Sequence, residues 1–110
     1  MPNVKIFVDE PIWTEQRAAL SGSLAEVRSV ICQRLGATTD LCHVMLVPAV
    51  GLSDQAGVYV DMNFRPKPDR TREKIMATCE EIEAVLREVV GGAVRVRATA
   101  QNMDASYAVS

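Results

Sequence analysis

The amino-acid sequence predicts a single α+β domain in which two consecutive β-α-β units form a four-stranded mixed sheet with two helices on one face. Three observations support this prediction. Short runs with strand character alternate with longer segments of helical periodicity, in the order strand, helix, strand, repeated once. The core positions of the second helical segment follow those of the first by about 55 residues. The whole chain, at 110 residues, has the length of one domain.

The first unit, residues 2–50, opens with a strand at residues 4–8 and closes with a strand at residues 42–47. Between them, apolar residues recur at three- and four-residue spacing, which predicts a helix that begins near Thr14 and stops at Gly36. The apolar positions of this helix are Leu20, Leu24, Val27, Ile31 and Leu35.

The second unit, residues 57–100, follows a loop rich in glycine, serine and aspartate. Residues 58–64 have strand character, and alternation over residues 94–98 predicts the last strand. We expect the two strands of each unit to be parallel, because a helix connects them. The second helix stops at Gly91, and its apolar positions are Ile75, Cys79, Ile82, Leu86 and Val89. A C-terminal tail covers residues 101–110.

Two helices on one face leave the other face of the sheet uncovered. In the last strand Arg95 and Arg97 alternate with Val94 and Val96, so one side of this strand is polar. A chain of this size can leave apolar surface that only a partner chain covers. We therefore expect self-association.

Composition excludes several classes of protein. The net charge of -2 provides no basic surface for nucleic acid, and no apolar run approaches the roughly 20 residues of a membrane span. Cys32, Cys42 and Cys79 lack CxxC spacing, which predicts packed thiols in a reducing cytoplasm rather than a disulfide or zinc site. His43 has no partner cluster for a metal, and we expect a core or interface position for it. No cofactor is expected.

Pro2 follows Met1 and opens the first strand. If Met1 is removed, the Pro2 nitrogen becomes a secondary amine. An ordinary α-amino group has a pKa of about 8, and desolvation or neighbouring cations lower the pKa of an amine. Pro2 is therefore a candidate general base at neutral pH. A proline at this position is also common by chance.

A second candidate group follows the third strand. Arg65 and Lys67 are two residues apart and are stiffened by Pro66 and Pro68, so an extended backbone points both side chains the same way. Such a pair suits a carboxylate, for which arginine supplies a fork of donors and lysine a point charge. The alternative interpretation, which spacing alone favours, is a solvated loop that leads into the second helix. The charged run at residues 70–74 is interpreted as the exposed first turns of the second helix.

The Met-Pro start, the two β-α-β units and the basic residues after the third strand resemble the tautomerase superfamily, in which an N-terminal proline is the shared catalytic group. Residues 2–10 are similar to the start of 4-oxalocrotonate tautomerases. The segment Arg65-Pro66-Lys67 resembles the Arg-Pro-Arg segment of malonate semialdehyde decarboxylases, whose two arginines bind the substrate carboxylate. Asp40 falls near the aspartate that those enzymes use, and residues 102–107 resemble their Asn-x-Asp-Ala-Asp-Trp stretch.

The resemblance implies a homotrimer and a tautomerase that acts on a small carboxylated keto or enol substrate without a cofactor. In this implied mechanism Pro2 moves the proton. The resemblance to the decarboxylases implies that Asp40 is the second catalytic residue, beside Pro2. The implied substrate-binding residues are Arg65, Lys67, Arg97 and Tyr107.

Departures from the family motifs leave alternatives open. Ile12 stands where 4-oxalocrotonate tautomerases carry an arginine, which argues against their dicarboxylate substrates. Lys67 replaces the second arginine of the decarboxylases, Ser106 an acid and Tyr107 their tryptophan. Decarboxylation or hydration of a three-carbon acid such as malonate semialdehyde is one alternative, with Pro2 protonated. A non-catalytic trimer that binds a ligand or a protein is another.

Overall fold

The computed structural model describes residues 2–102 and Val109. A four-stranded sheet with the strand order β2-β1-β3-β4 carries two α-helices, as the sequence predicts. Over this part of the chain, no helix has the length and apolarity that crossing a membrane requires. The elements in chain order are β1 (Asn3–Asp9), α1 (Glu10–Leu35), β2 (His43–Ala49), β3 (Val58–Phe64), α2 (Arg72–Val90) and β4 (Val94–Ala100), with a 3-10 helix at Thr39–Leu41 before β2.

The two β-α-β units meet along their first strands. β1 pairs parallel with β2, β3 pairs parallel with β4, and β1 and β3 are antiparallel neighbours at the centre of the sheet. Alternate side chains of the central strands are buried, which places the hydrophobic core on the helix face. The buried residues of these two strands are Val4, Ile6, Val8, Val58, Val60, Met62 and Phe64.

The internal repeat extends beyond the apolar positions. β3 begins 55 residues after β1. Both helices end at a glycine in the left-handed conformation, Gly36 with φ 65° and Gly91 with φ 67°. The two helices also bury a hydroxyl at equivalent positions, since Ser23 and Thr78 each donate a hydrogen bond of 2.7 Å to a carbonyl about one turn earlier. The two halves therefore share local geometry as well as hydrophobic pattern.

Helix α1 begins four residues earlier than the sequence predicts, at Glu10 instead of near Thr14. Pro11 is tolerated because the first turn of a helix needs no backbone N–H donor from it. Asp9 is the N-cap residue, but its carboxylate accepts a hydrogen bond from the backbone N–H of Gly51 at 3.2 Å. The chain therefore passes from β1 into α1 without a turn.

The second strand also differs from its prediction. β2 begins at His43 and continues through Pro48 to Ala49. A proline is accepted there because β2 is an edge strand. His43 is exposed, so its predicted core position is wrong, whereas an interface position stays a prediction.

A loop at residues 65–71 replaces the first turns that α1 has in the first unit, so α2 has 19 residues and α1 has 26. Proline restricts the residue before it, and Lys67 precedes Pro68, which disfavours helical backbone at this point. The side chain of Thr71 then caps α2 by accepting a hydrogen bond from the backbone N–H of Lys74. At the other end of the unit, β4 is two residues longer than predicted.

The sheet face opposite the helices is open in the single chain. Lys5, Asp61 and Arg97 are aligned across β1, β3 and β4 on this face. The next aligned row on the same face is Phe7, Tyr59 and Arg95, and the two aromatic ring centroids lie 6.3 Å apart. This mixed polar and aromatic face is the surface for which the sequence predicts a partner chain.

Candidate active site

All four strands have one terminus at the same end of the sheet. We call this end, which is formed by strand termini and not by an edge strand, the Pro2 edge. β1 and β2 begin there, and β3 and β4 end there. Pro2 immediately precedes β1 and is buried. Its carbonyl oxygen accepts a hydrogen bond of 3.1 Å from the backbone N–H of His43, which holds the start of β1 against β2. A rigid strand thus positions Pro2, as a general base requires.

Asp40 lies at the same edge. It belongs to the 3-10 helix at Thr39–Leu41, and the backbone N–H of Cys42 donates to the carbonyl of Thr39 at 3.3 Å. The chain then enters β2 at His43, the residue that bonds to Pro2. Asp40 is exposed, so its carboxylate reaches solvent shortly before the start of β2.

Arg65 and Lys67 leave the sheet at the Pro2 edge. Arg65 follows Phe64, the last residue of β3, and β3 is antiparallel to β1. The backbone N–H of Gln101 donates to the carbonyl of Phe64 at 2.9 Å, which extends the pairing of β3 and β4 to this edge. Both cationic residues are exposed. The topology therefore brings Pro2, Asp40 and the Arg65–Lys67 segment to one edge.

The sequence analysis interprets residues 70–74 as exposed, and this prediction is wrong for Arg70. It therefore missed Arg70 as a residue of the site. The side chain of Arg70 is buried, with 7% exposure. Its Nε donates to the carbonyl of Leu35 at 2.9 Å, and its Nη1 donates to the carbonyl of Arg65 at 2.6 Å. The guanidinium carbon lies 5.8 Å from the centroid of the Phe64 ring. The end of a helix leaves carbonyl groups that need donors, but nothing in the local sequence identifies Arg70 as the donor.

Two other predicted site residues are not brought to this edge by the described structure. Arg97 lies on the open face of β4, opposite Asp61, which has Lys5 on its other side. Arg97 is exposed. Tyr107 falls outside the described residues, although the chain enters the tail at the Pro2 edge after Ala100. Their roles in substrate binding stay predictions.

A cavity of about 660 Å³ lies at the opposite edge of the sheet from Pro2. Phe7, Tyr59 and Arg95 line it from the open face, and the loop of residues 50–57 closes one side. The hydrogen bond from Gly51 to Asp9 ties this loop to the end of β1. The cavity and the Pro2 edge are separate features of the single chain.

The three thiols are free. Cys42 is buried, and Cys32 and Cys79 are half-buried, which agrees with the predicted packing role. Burial, with a smaller contribution from the neighbouring Cys32, raises the pKa of Cys42 to about 11. Within the described part of the chain, no group of three or more His, Cys, Asp or Glu side chains is placed to hold a metal ion.

The raised pKa of Cys42 predicts a stability that depends on pH. The folded chain keeps the thiol proton up to about pH 11, whereas the unfolded chain loses it near the ordinary value of 9.0. The stabilisation that the buried neutral thiol contributes is therefore fully present below the pKa of Cys42 in the unfolded chain. It is lost as the pH rises through the pKa of Cys42 in the folded chain. We expect the free energy of unfolding to fall by on the order of 2 kcal/mol across this window.

Urea titrations on either side of this window measure the effect. In Cys42→Ala the decrease should be smaller but not absent, because burial also raises the pKa of Cys79. An equal decrease in native protein and Cys42→Ala contradicts the assignment to Cys42.

Comparison with solved structures finds this fold in several proteins. The protein Pt0534, in a crystal structure inactivated by 2-oxo-3-pentynoate, is 24% identical with a TM-score of 0.72, over 91% of this chain and 85% of that chain. A wild-type asymmetric trimer of a fused 4-OT is 14% identical with a TM-score of 0.71, over 97% and 91% of the two chains. A malonate semialdehyde decarboxylase is 12% identical with a TM-score of 0.63, over 98% and 90%.

Comparison of the sequence finds no match, in contrast to comparison of the structure. No family model matches the chain, and no curated protein matches its sequence. Identities below 25% show a shared fold alone. A shared fold does not identify a substrate or a mechanism, which depend on the residues at the site.

Proposed function

Because this chain has the tautomerase-superfamily fold, we propose that the protein is a keto-enol tautomerase of a small carboxylated substrate. One observation carries the proposal: Pro2 is buried at the sheet edge where Arg65 and Lys67 leave the sheet. The compound that inactivates Pt0534, 2-oxo-3-pentynoate, is a small carboxylated ketone. This supports the same class of substrate here.

In the proposed mechanism Pro2 is the general base once Met1 is removed. The neutral amine takes a proton from the carbon next to the substrate carbonyl, and the electron pair of the broken C–H bond forms an enolate. The proton then returns to the enolate oxygen and gives the enol. Arg65 and Lys67 hold the carboxylate and stabilise the negative charge. Their positive charge also favours the neutral form of the amine, which a base requires.

Asp40 at the Pro2 edge favours a second candidate function, the decarboxylation or hydration of a three-carbon acid such as malonate semialdehyde. In this version protonated Pro2 acts as an acid or a cation, and Asp40 positions water or stabilises the charge. A trimer that binds a ligand or a protein without catalysis is the third candidate, because fold does not determine function.

An ultraviolet assay with phenylenolpyruvate and malonate semialdehyde separates these candidates. The protein must first be shown by intact mass to lack Met1. Turnover of phenylenolpyruvate supports the tautomerase, and turnover of malonate semialdehyde alone supports the second function. Protein that lacks Met1 and converts neither substrate contradicts both enzymes.

Arg65→Ala tests the carboxylate contact. We expect the KM for the substrate to rise about 10- to 100-fold, because a hydrogen bond to a charged group contributes about 1.5–3 kcal/mol. Arg72→Ala is the matched control, since Arg72 is also exposed but begins α2. An unchanged KM in Arg65→Ala would return Arg65 to the solvated-loop interpretation.

We also propose that the protein is a cytoplasmic homotrimer. The open face with Phe7, Tyr59 and Arg97 is available for a partner chain. The fused 4-OT of similar fold is a trimer, and three free thiols suit a reducing compartment. Light scattering should give the mass of three 12.0 kDa chains, and a monomer at micromolar concentration would contradict the trimer.

A further inference from the structure

We infer that Arg70 is a positioning residue for carboxylate binding: its buried guanidinium holds the backbone of Arg65 and thereby fixes where the Arg65 side chain leaves the Pro2 edge. This inference rests on the proposed function, because it concerns the same carboxylate. Neither the sequence motifs nor the fold comparisons assign a role to Arg70.

The contacts of Arg70 join three segments. Through Nε it bonds to the carbonyl of Leu35 at the end of α1, and through Nη1 to the carbonyl of Arg65 in the loop. Its guanidinium lies 5.8 Å from the ring centroid of Phe64 at the end of β3. Arg65 is therefore tied to an element of the first unit as well as to its own strand.

The loop between Phe64 and Arg70 is held at both ends. At one end the carbonyl of Phe64 accepts from Gln101 at 2.9 Å. At the other end the backbone N–H of Arg70 donates to the carbonyl of Lys67 at 3.0 Å. Proline at positions 66 and 68 further restricts the backbone between these bonds. A loop restrained in this way has little conformational entropy left to lose when a ligand binds.

Arginine suits this position better than lysine. The two carbonyls belong to different segments, and a planar guanidinium presents separate donors to both, whereas the ammonium of lysine is a point charge. Burying the cation is costly, and the carbonyl oxygens offset part of that cost. Arg70 is buried and uses its Nε and Nη1 atoms within the protein, while Arg65 is exposed. Arg70 therefore acts through Arg65 rather than on the substrate.

Arg70→Met and Arg70→Lys test the inference, with Arg72→Met as the control for loss of a nearby positive charge. We expect Arg70→Met to raise the KM for phenylenolpyruvate roughly tenfold with little change in kcat, because misplacement of a binding group weakens substrate binding and leaves the base in place. Arg70→Lys should raise KM less, and Arg72→Met should leave it unchanged. A native KM in both Arg70 variants overturns the inference.

A double-mutant cycle separates positioning from general stability. If Arg70 acts through Arg65, the double variant with Arg70→Met and Arg65→Ala should have the same KM as Arg65→Ala alone. Independent, additive effects overturn the inference. Amide spectra provide a second readout, because Arg70→Met should shift the resonances of Arg65 and Lys67 while the β1 resonances stay native. If Arg70→Met does not fold, Arg70→Lys is used in the same cycle.

Pyruvate binding distinguishes failure of the inference from failure of the proposed function. Native protein that converts no substrate but binds pyruvate, with weaker binding in Arg70→Met than in Arg72→Met, supports the positioning role while the tautomerase proposal fails. The Arg65 amide resonance is used to monitor pyruvate binding. If the native protein binds no pyruvate in this measurement, the positioning role is overturned. Loss of turnover in Pro2→Ala together with weaker pyruvate binding in Arg70→Met than in Arg72→Met supports both.

Discussion

Pro2→Ala is expected to lower kcat/KM for phenylenolpyruvate on the order of 10²- to 10⁴-fold, the usual contribution of a positioned general base. Alanine keeps an amine at the chain terminus but loses the ring that fixes the direction of the nitrogen. Pro2 is held by its carbonyl contact to His43, so the nitrogen belongs to a rigid strand start in the native protein. Initial rates in the ultraviolet assay measure the effect.

Two controls make the Pro2 result specific. A sample that retains Met1 should show a loss at least as large, because the nitrogen of Pro2 is then an amide without a basic lone pair. Pro48→Ala removes a proline from the edge strand β2 and should leave the rate unchanged. Equal rates in native protein and Pro2→Ala would sink both enzyme proposals.

Ile82→Ala is expected to lower the free energy of unfolding by about 2–5 kcal/mol. Ile82 is fully buried at the centre of α2, where it belongs to the hydrophobic core beneath the sheet. Removing three carbons leaves a cavity that the close-packed surroundings fill only in part. The loss is a large fraction of the roughly 5–15 kcal/mol that stabilises a typical domain.

Urea denaturation at one fixed protein concentration measures this difference, since subunit association makes stability depend on concentration. Glu80→Ala is the control on the same helix, and because Glu80 is exposed we expect a change within about 0.5 kcal/mol. A comparable loss in both variants would contradict burial of Ile82 as the cause, because alanine favours the helix at either position.

The sequence predicted the fold well because its signals are repeated. Leu20 and Ile75 begin two helical patterns at the same phase, and Gly36 and Gly91 end them. The predicted boundaries were less accurate at two prolines, because α1 begins before Thr14 and β2 continues past residue 47. Pro11 lies in the first turn of α1 and Pro48 within β2, because each occupies a position that needs no backbone donor.

The candidate site was predictable only in part. Pro2 and the Arg65–Lys67 pair were identified from residue type and spacing, and Asp40 from a resemblance. Arg70 was not, because its burial depends on the carbonyl of Leu35, which lies 35 residues earlier in the chain. Arg97 has the right chemistry for a substrate contact, but its strand register places it beside Asp61 on the open face.

The sequence by itself determined the order of strands and helices, the glycine stops and the presence of a proline and a cationic pair, because periods of two and 3.6 residues and turn chemistry are local properties. The tertiary structure decided which strand ends share an edge. Antiparallel pairing of β1 with β3 brings the end of β3 to the start of β1, and so Arg65 to the side of Pro2. The pairing of β1 with β3 depends on how the two units pack together, and the pattern of a single strand does not specify it.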